Sequence, residues 1–395
     1  MARILVLDGH SAAALAFTRS AGRAGHWVAV GANAGLFAAS KLSRYCRVAL
    51  DYPVSTDHAS RFVDAVLRFV RQHSIELVVP ITDWTFHPIS EQRDRFHGVC
   101  RVALPLHAAV ETASDKYRTI EIARELGMAV PPTWLVRSPA ELAKLPEMGL
   151  PVVVKDRFST RWTNGKAVFG TVTYANGKGE LEQRVAERLR FAEDVMIQQF
   201  VPGSGIGFSC FVTPEAVALP FAWERIREVD PRGSASSCRR SIALDEGLVE
   251  LSGRLIRAIG FQGIAMVEYK RSPNGDLVLM EINGRPWGSI ALPIASGIDY
   301  PRFLIDWCLT GALPPHSIAY RRITCRRMVG ELNHLRNLSK GRPPNWPGEY
   351  PGFWSSLVRV AIPWYPGMRY DDLWFSDWRP GAAGIANWFW VRFKR

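Results

Sequence analysis

At 395 residues, 47% hydrophobic and 22% charged, the chain is long enough for two or three domains and too apolar for wholesale disorder. No stretch approaches the roughly 20 continuous apolar residues of a spanning helix, and the opening "MARILVLDGHS" reads as a short strand without a signal-peptide cleavage site. The net charge of +12 favours acidic partners (nucleotides, phosphorylated or carboxylate substrates, nucleic acid, an anionic membrane surface) without choosing among them.

The β-branched run Arg3–Leu7 predicts a strand, Asp8-Gly9 a turn, Ser11 an N-cap, Ala12–Ala24 a helix and Trp27–Gly31 a second strand. A helix over Ala59–His73 and a strand over Glu76–Pro80 continue the α/β alternation of a parallel sheet. Gly9 stands without a GxGxxG pattern, which argues against a dinucleotide site. From Thr112 a second region begins, with a helix over Asp115–Leu126, a strand over Thr133–Val136, a short helix capped by Ser138, and the strand "PVVVK" ending at Lys155. A basic loop, a strand over Thr171–Tyr174, a helix over Gly179–Phe191 and a strand over Val195–Phe200 follow. The third region is strand-rich: Phe208–Val212, Val217–Arg225, Ile264–Arg271 and Leu277–Ile282, with a helix over Asp245–Ile259 and two closing helices near Ser289–Ser296 and Pro301–Leu309. The remainder is rich in Trp, Pro and Arg and has little periodicity. Six singly scattered cysteines and nine unclustered histidines predict reduced thiols and a cytoplasmic protein rather than a zinc site or a disulfide framework.

One hairpin carries the chemistry. Asn274-Gly275 is a strong two-residue turn signal, and a turn centred there sets Pro273 opposite Asp276 and Glu268 opposite Glu281. Strand alternation then puts Glu281, Asn283 and Arg285 on one face, together with Leu277 and Leu279. Two facing carboxylates repel, and burial raises the cost, so a cation belongs between them. Two acids and an amide oxygen suit Mg²⁺, and the Arg285 fork suits a phosphoryl group or a carboxylate. A solvated surface pair is the bland alternative, disfavoured by apolar neighbours such as Met266.

With these residues in view, "MEINGRPWGS" resembles the "EINPRFWGS" signature of the ATP-grasp superfamily, in particular its predicted carboxylate–amine ligases, which share a carbamoyl-phosphate-synthetase-like ATP-binding domain. "VLDGHSAAALAFTRSAGRAGHWVAV" looks like the domain preceding the grasp, "SDKYRTIEIARELGMAVPPT" like its start, and "PVVVKD" and "VMIQQFVPG" like its nucleotide-binding strands. The resemblance covers roughly the first 310 residues. It implies an α/β and α+β architecture: a Rossmann-like pre-ATP-grasp domain (1–111), a small lid subdomain (112–202), a metal-binding subdomain (203–313) and an irregular Trp/Arg-rich extension (314–395). It also implies ATP with two Mg²⁺ ions, or Mn²⁺ in their place. Lys116 and Lys155 would contact the phosphates, and Gln198, Gln199, Phe200 and Val201 would form the linker over the adenine. Glu268, Glu281 and Asn283 would hold the metal, and Arg285, with Lys155, would serve the transferred phosphoryl group. The loop Ser159–Gly165, with Arg161 and Lys166, stands where the family closes a glycine-rich loop on the phosphates, and Gly165 is its one glycine. In "ERIREVDPRGSASSCRRS", Arg227 or Arg240 could clamp a substrate carboxylate.

The implied reaction is activation of a carboxylate as an acyl phosphate followed by displacement by an amine, with small-molecule acid and amine as partners and a homo-oligomer left open. The rival is a non-catalytic accessory module whose tail, "IANWFWVRFKR", docks peripherally on a membrane. For nucleic acid the basic pI is the only argument.

Overall fold

The computed structural model describes residues 1–394 except 164, 165, 345 and 348. Strands β1 (Arg3–Val6), β2 (Trp27–Asn33), β3 (Cys46–Tyr52), β4 (Leu77–Val79) and β5 (Arg101–Val102) form a parallel sheet in the order β3-β2-β1-β4-β5. Both faces of the central strands are covered, which explains why β1, β2 and β4 read as near-continuous apolar runs. Ile4 and Val6 face α1 (Ala12–Arg23), whereas Leu5 and Leu7 face α2 (Ala59–His73), α3 (Asp83–Glu91) and α4 (His107–Ser114). Ser11 caps α1 by accepting from the Ala14 N–H at 3.1 Å, and α2 has the expected bounds.

The second unit comprises α5 (Lys116–Glu125), β6 (Thr133–Val136), α6 (Pro139–Leu142), β7 (Val152–Lys155), β8 (Thr160–Thr163), β9 (Lys166–Phe169), β10 (Val172–Ala175), α7 (Lys178–Leu189) and β11 (Val195–Gln199). Its antiparallel sheet runs β10-β7-β11-β6 over a small aliphatic core with α7. The stretch expected as a basic loop is instead the hairpin β8–β9, pairing Thr160 with Phe169 and Trp162 with Ala167. That hairpin touches the first unit: the Ala167 N–H donates to the Thr56 carbonyl at 2.7 Å, and the Phe169 ring lies 5.5 Å from Trp84.

The third unit contains β12 (Ser204–Val212), β13 (Val217–Glu228), β14 (Ser236–Ile242), α8 (Glu246–Ala258), β15 (Gly263–Arg271), β16 (Leu277–Asn283), α9 (Ala291–Ser296) and α10 (Tyr300–Thr310). Helix α8 covers one face of the sheet, and α9, α10 and the α1 side of the first unit share a core with the other. The stretch after α10 is not a separate unit, and it carries regular elements of its own. Strands β17 (Thr324–Arg326) and β18 (Met368–Tyr370) extend the sheet to the order β16-β15-β12-β13-β14-β17-β18, accompanied by α11 (Met328–Leu338), α12 (Phe353–Ala361) and α13 (Arg379–Phe393). A boundary at 313 therefore cuts through one sheet. A buried clamp adds to this: the Arg19 guanidinium on α1 donates to Asp377 at 2.8 Å and to the carbonyls of Asp371 and Asp372. Among the described residues no helix is long and apolar enough to cross a membrane, and all six cysteines are free thiols.

Candidate active site

The β15–β16 ladder sets Glu268 opposite Glu281 and Met266 opposite Asn283. It reaches that register by a different route from the expected one. At the turn Ser272, not Pro273, faces Asp276, with its N–H donating to the Asp276 carbonyl at 2.9 Å, and Arg271 pairs with Leu277. The ladder there is one residue out of step with the Glu268–Glu281 pair. A bulge beside Glu268, with Met280 as the extra residue, corrects the offset. Bulges of this kind re-aim side chains, and the consequence is visible in the burial. Leu277 and Leu279 pack with Ile282 and Tyr269 under α8, on the face opposite the carboxylates, not beside them. The core strand can end in polar residues because the bulge turns its two halves to opposite faces.

The cation owed to the acid pair comes from two directions. Arg225 on β13 reaches across β12 to give Glu268 Oε2 a 2.5 Å hydrogen bond, and it also holds Glu228 and the Ser234 carbonyl. The crossing requires Gly205 and Gly207 on β12. A Cβ at Gly205 would sit 2.5 Å from Arg225 Cδ, and one at Gly207 would sit 2.1 Å from the Trp223 ring. Burial raises the Glu268 pKa, Arg225 opposes that rise, and Glu281 reinforces it. On the other side, Lys155 ends β7 in a buried position. Desolvation lowers its pKa to about 8, against the pull of Glu281 and with the push of Lys116. Lys116, at the first position of α5, donates to Ser159 Oγ at 2.7 Å. Asp115 caps that helix, and its carboxylate takes a bidentate bond from Arg157 at 2.8 and 2.6 Å, so one loop positions both lysines.

Arg285 closes the third side. Its Nε donates to Asp83 Oδ1 at 2.6 Å, in the first turn of α3. Burial would lift the Asp83 pKa, yet Arg285 holds it below the usual carboxylate range. The start of α3 is in turn anchored by Asp8, a left-handed residue (φ 55°) whose buried carboxylate accepts from the Thr82 N–H at 2.7 Å and from Thr85 Oγ1 at 2.6 Å. Asp83, His87, Lys116, Ser159, Thr160, Glu281, Asn283 and Arg285 thus line one cleft where the three units meet.

Other expected site residues lie elsewhere. Alternation along β8 turns Thr160 to the cleft and Arg161 away from it, toward Asp194 at 3.3 Å and Glu193 at 3.5 Å. Gly165 and the Lys166 side chain fall outside the described residues. The guanidinium of Arg227 is committed to Glu331 of α11 at 2.8 Å, a carboxylate with 0% exposure. Arg240 pairs with Glu224. That pair sits on the α8 face, because Glu224 is in register with Ile206 of the α8-side core whereas its neighbour Trp223 faces the cleft-side core. Both guanidiniums are engaged by carboxylates of the chain, and Arg227 also lines a cleft together with Phe200, Arg225 and Lys270. On the linker, Gln198 donates to Thr133 Oγ1 at 2.9 Å and Gln199 to the Gly149 carbonyl at 2.7 Å, so both amides are used within the small sheet. Lys270 donates to the Val201 carbonyl at 2.9 Å with its ammonium over the Phe200 ring. Phe200 meets Trp346 of the extension edge to face at 5.3 Å. A second cleft opens there, lined by Phe200, Gly205, Arg225, Lys270 and, from the extension, His334, Trp346, Tyr350 and Arg359. The sequence marks Trp346 only as part of a Trp/Pro-rich run, and nothing in that run reveals what it packs on.

Residues 191–326 match the family model described as "ATP-grasp in the biosynthetic pathway with Ter operon". The chain is 27% identical over 176 residues to a D-alanine–D-alanine ligase of Gloeobacter violaceus, covering 41% of this chain and 56% of that one. It is 25% identical over 206 residues to a probable alpha-L-glutamate ligase of Pseudomonas savastanoi pv. phaseolicola, covering 50% and 64%. The matched stretch therefore spans less than two thirds of these curated relatives. In architecture it is similar to N5-carboxyaminoimidazole synthetase from Staphylococcus aureus complexed with ADP, with a TM-score of 0.63 at 16% identity over 87% of both chains.

Proposed function

We propose that this chain, an ATP-grasp protein, is an ATP-dependent ligase that activates a carboxylate as an acyl phosphate and joins the acyl group to an amine. One observation carries the reading: Asp83 of the first unit, Lys116 of the second, and Glu281, Asn283 and Arg285 of the third line a single cleft, with buried Lys155 within the field of Glu281. Converging positive and oxygen-donor groups suit phosphoryl transfer, where catalysis is positioning and charge neutralisation rather than covalent chemistry.

The donor set fits a divalent cation. Glu268, Glu281 and Asn283 offer hard oxygens on one face, and Arg225 engages only Oε2 of Glu268. Bound there, Mg²⁺ would neutralise phosphate charge. Among the described residues no cluster of three or more His, Cys, Asp or Glu forms a competing site. In the reading, Lys116 and Lys155 hold the phosphates in line with a substrate carboxylate oxygen. That oxygen bonds to the γ-phosphorus as the bond to the ADP oxygen breaks. Arg285, oriented by Asp83, neutralises the group in transfer. The amine nitrogen then attacks the acyl carbon, inorganic phosphate leaves with the bonding electrons, and the amine sheds a proton to solvent. The linker Gln198–Val201 borders the nucleotide through its backbone, since the two glutamine amides are occupied. The names of the relatives, a D-alanine–D-alanine ligase and a probable alpha-L-glutamate ligase, support amino acids as the acid and the amine.

The test is ADP release with Mg²⁺ and a panel of amino-acid and peptide acceptors. Turnover should need both acid and amine, and Glu281→Gln should lower it by about 10²–10³-fold. Equal turnover by the variant removes the metal-site assignment, and a chain that neither binds nor cleaves ATP removes the ligase assignment.

A further inference from the structure

Exposed apolar side chains are unevenly distributed over this molecule. Among the described residues, all four exposed tryptophans (Trp354, Trp364, Trp378 and Trp390) fall in the last 45 positions, with Phe375 and Phe393 at 106% and 82% exposure. About half of all large exposed hydrophobics among the described residues lie in this stretch. Helices α12 and α13, which carry many of them, pack on α11, and α13 also packs on the turn Ala39–Leu42, yet Trp354 and Val358 of α12 and Phe389, Trp390, Val391 and Phe393 of α13 remain exposed. Scattered exposed apolar residues are ordinary, but a concentration of this kind marks a surface that something covers.

Charge identifies the occupant. From residue 352 onward the acids are Asp371, Asp372 and Asp377, and all three turn inward. Asp371 pairs with buried Arg239 at 2.7 Å, Asp377 pairs with Arg19, and burial pushes the Asp372 pKa up. The cations do the reverse: Arg359, Arg369, Arg379 and Lys394 are exposed, and Lys394 lies over the Trp390 ring at 4.9 Å. The outward surface is therefore tryptophan, phenylalanine, aliphatic residues and positive charge, with the negative charge withdrawn beneath it. Tryptophan settles at the headgroup level of a bilayer, and arginine and lysine beside it meet anionic headgroups. The aliphatic members Val358 and Val391 give nucleobases nothing to stack on but suit acyl chains.

We propose that the α12–α13 surface docks the protein peripherally on an anionic lipid bilayer. The contact lies in the plane of the membrane, since no described helix could span it. It is independent of the ligase reading, because the exposed side chains on it stand outside the three-unit cleft.

Flotation with full-length protein tests this, using phosphatidylcholine vesicles with and without 30% phosphatidylglycerol, at low and high salt. Binding should require the anionic lipid and weaken as salt rises. The double variant Trp354→Ser/Trp390→Ser should partition at least 10-fold more weakly, with unchanged thermal stability and unchanged ADP release. Arg359→Glu/Arg379→Glu should lose the preference for phosphatidylglycerol. No binding to anionic vesicles, or equal binding by the tryptophan variant, overturns the proposal. So does a lipid-free dimer in sedimentation that the tryptophan variant dissolves, which would assign the face to a second copy of the chain. Salt-sensitive binding to DNA that matches binding to vesicles would overturn it as well.

Discussion

The two antiparallel pairs that flank β12 make opposite use of the same kind of residue. On the β15–β16 side, charged groups stand beside the cleft that Glu281 lines and remain under-neutralised: Glu268, opposite Glu281, shares one arginine with Glu228, and the nearby Lys155 of β7 is buried with through-space help from Glu281. On the β13–β14 side, the arginines are spent. Arg227 is locked to Glu331, Arg239 to Asp371 and Arg240 to Glu224. A charged residue bound to a fully buried internal partner is framework, whereas one left short of partners beside a cavity is available to a ligand. Richness in arginine says nothing about which is which.

Breaking the framework side should cost stability. Arg227→Ala leaves Glu331 buried with only Arg326 at 3.5 Å, and should lower unfolding free energy by about 3–5 kcal/mol in denaturant titration. A loss under 1 kcal/mol would mean that Arg227 is not held by that pair and would return it to the list of free clamps. The boundary between the two sides is sharpened by Gly205→Val. The new side chain would collide with the Arg225 stem and displace the guanidinium from Glu268. Turnover should fall about 10-fold, in keeping with the cost of a misplaced group, with a smaller change in melting temperature. Unchanged kinetics would show that the Arg225 crossing is dispensable. The smallest effect is expected from Arg240→Ala, an exposed pair on the far face of the sheet. It should change stability by under about 1 kcal/mol and leave the KM for either substrate untouched, whereas a raised KM for the acid would place Arg240 at the substrate.

Much of this was legible in the chain itself, for identifiable reasons. The parallel first unit, the caps Ser11 and Ser138, and the Glu268–Glu281 pair all follow from local signals: β-branched runs, hydroxyl caps, and alternation about a turn. Even so, the pairing came out right although the turn was one residue off, because the Met280 bulge compensates, and no local rule announces a bulge. The fates of Arg227 and Arg239 were hidden for a different reason. Their partners lie more than 100 residues away in a tail whose strands are three residues long, too short for any period to declare itself. Gly205 and Gly207 carry no local signal of their role, because only the strand between two charged neighbours shows the need for an empty surface.

The Arg19–Asp377 clamp also sets a timetable for biosynthesis. The guanidinium emerges from the ribosome 358 positions ahead of its partner Asp377. At typical elongation rates that interval is on the order of tens of seconds. Throughout it the nascent amino-terminal unit carries a charge built to be desolvated and a helix face with nothing to cover it. The clamp can close only once Asp377 has left the ribosome, so a message truncated ahead of that codon would yield a polypeptide with its candidate cleft encoded in full and its first helix still unsealed.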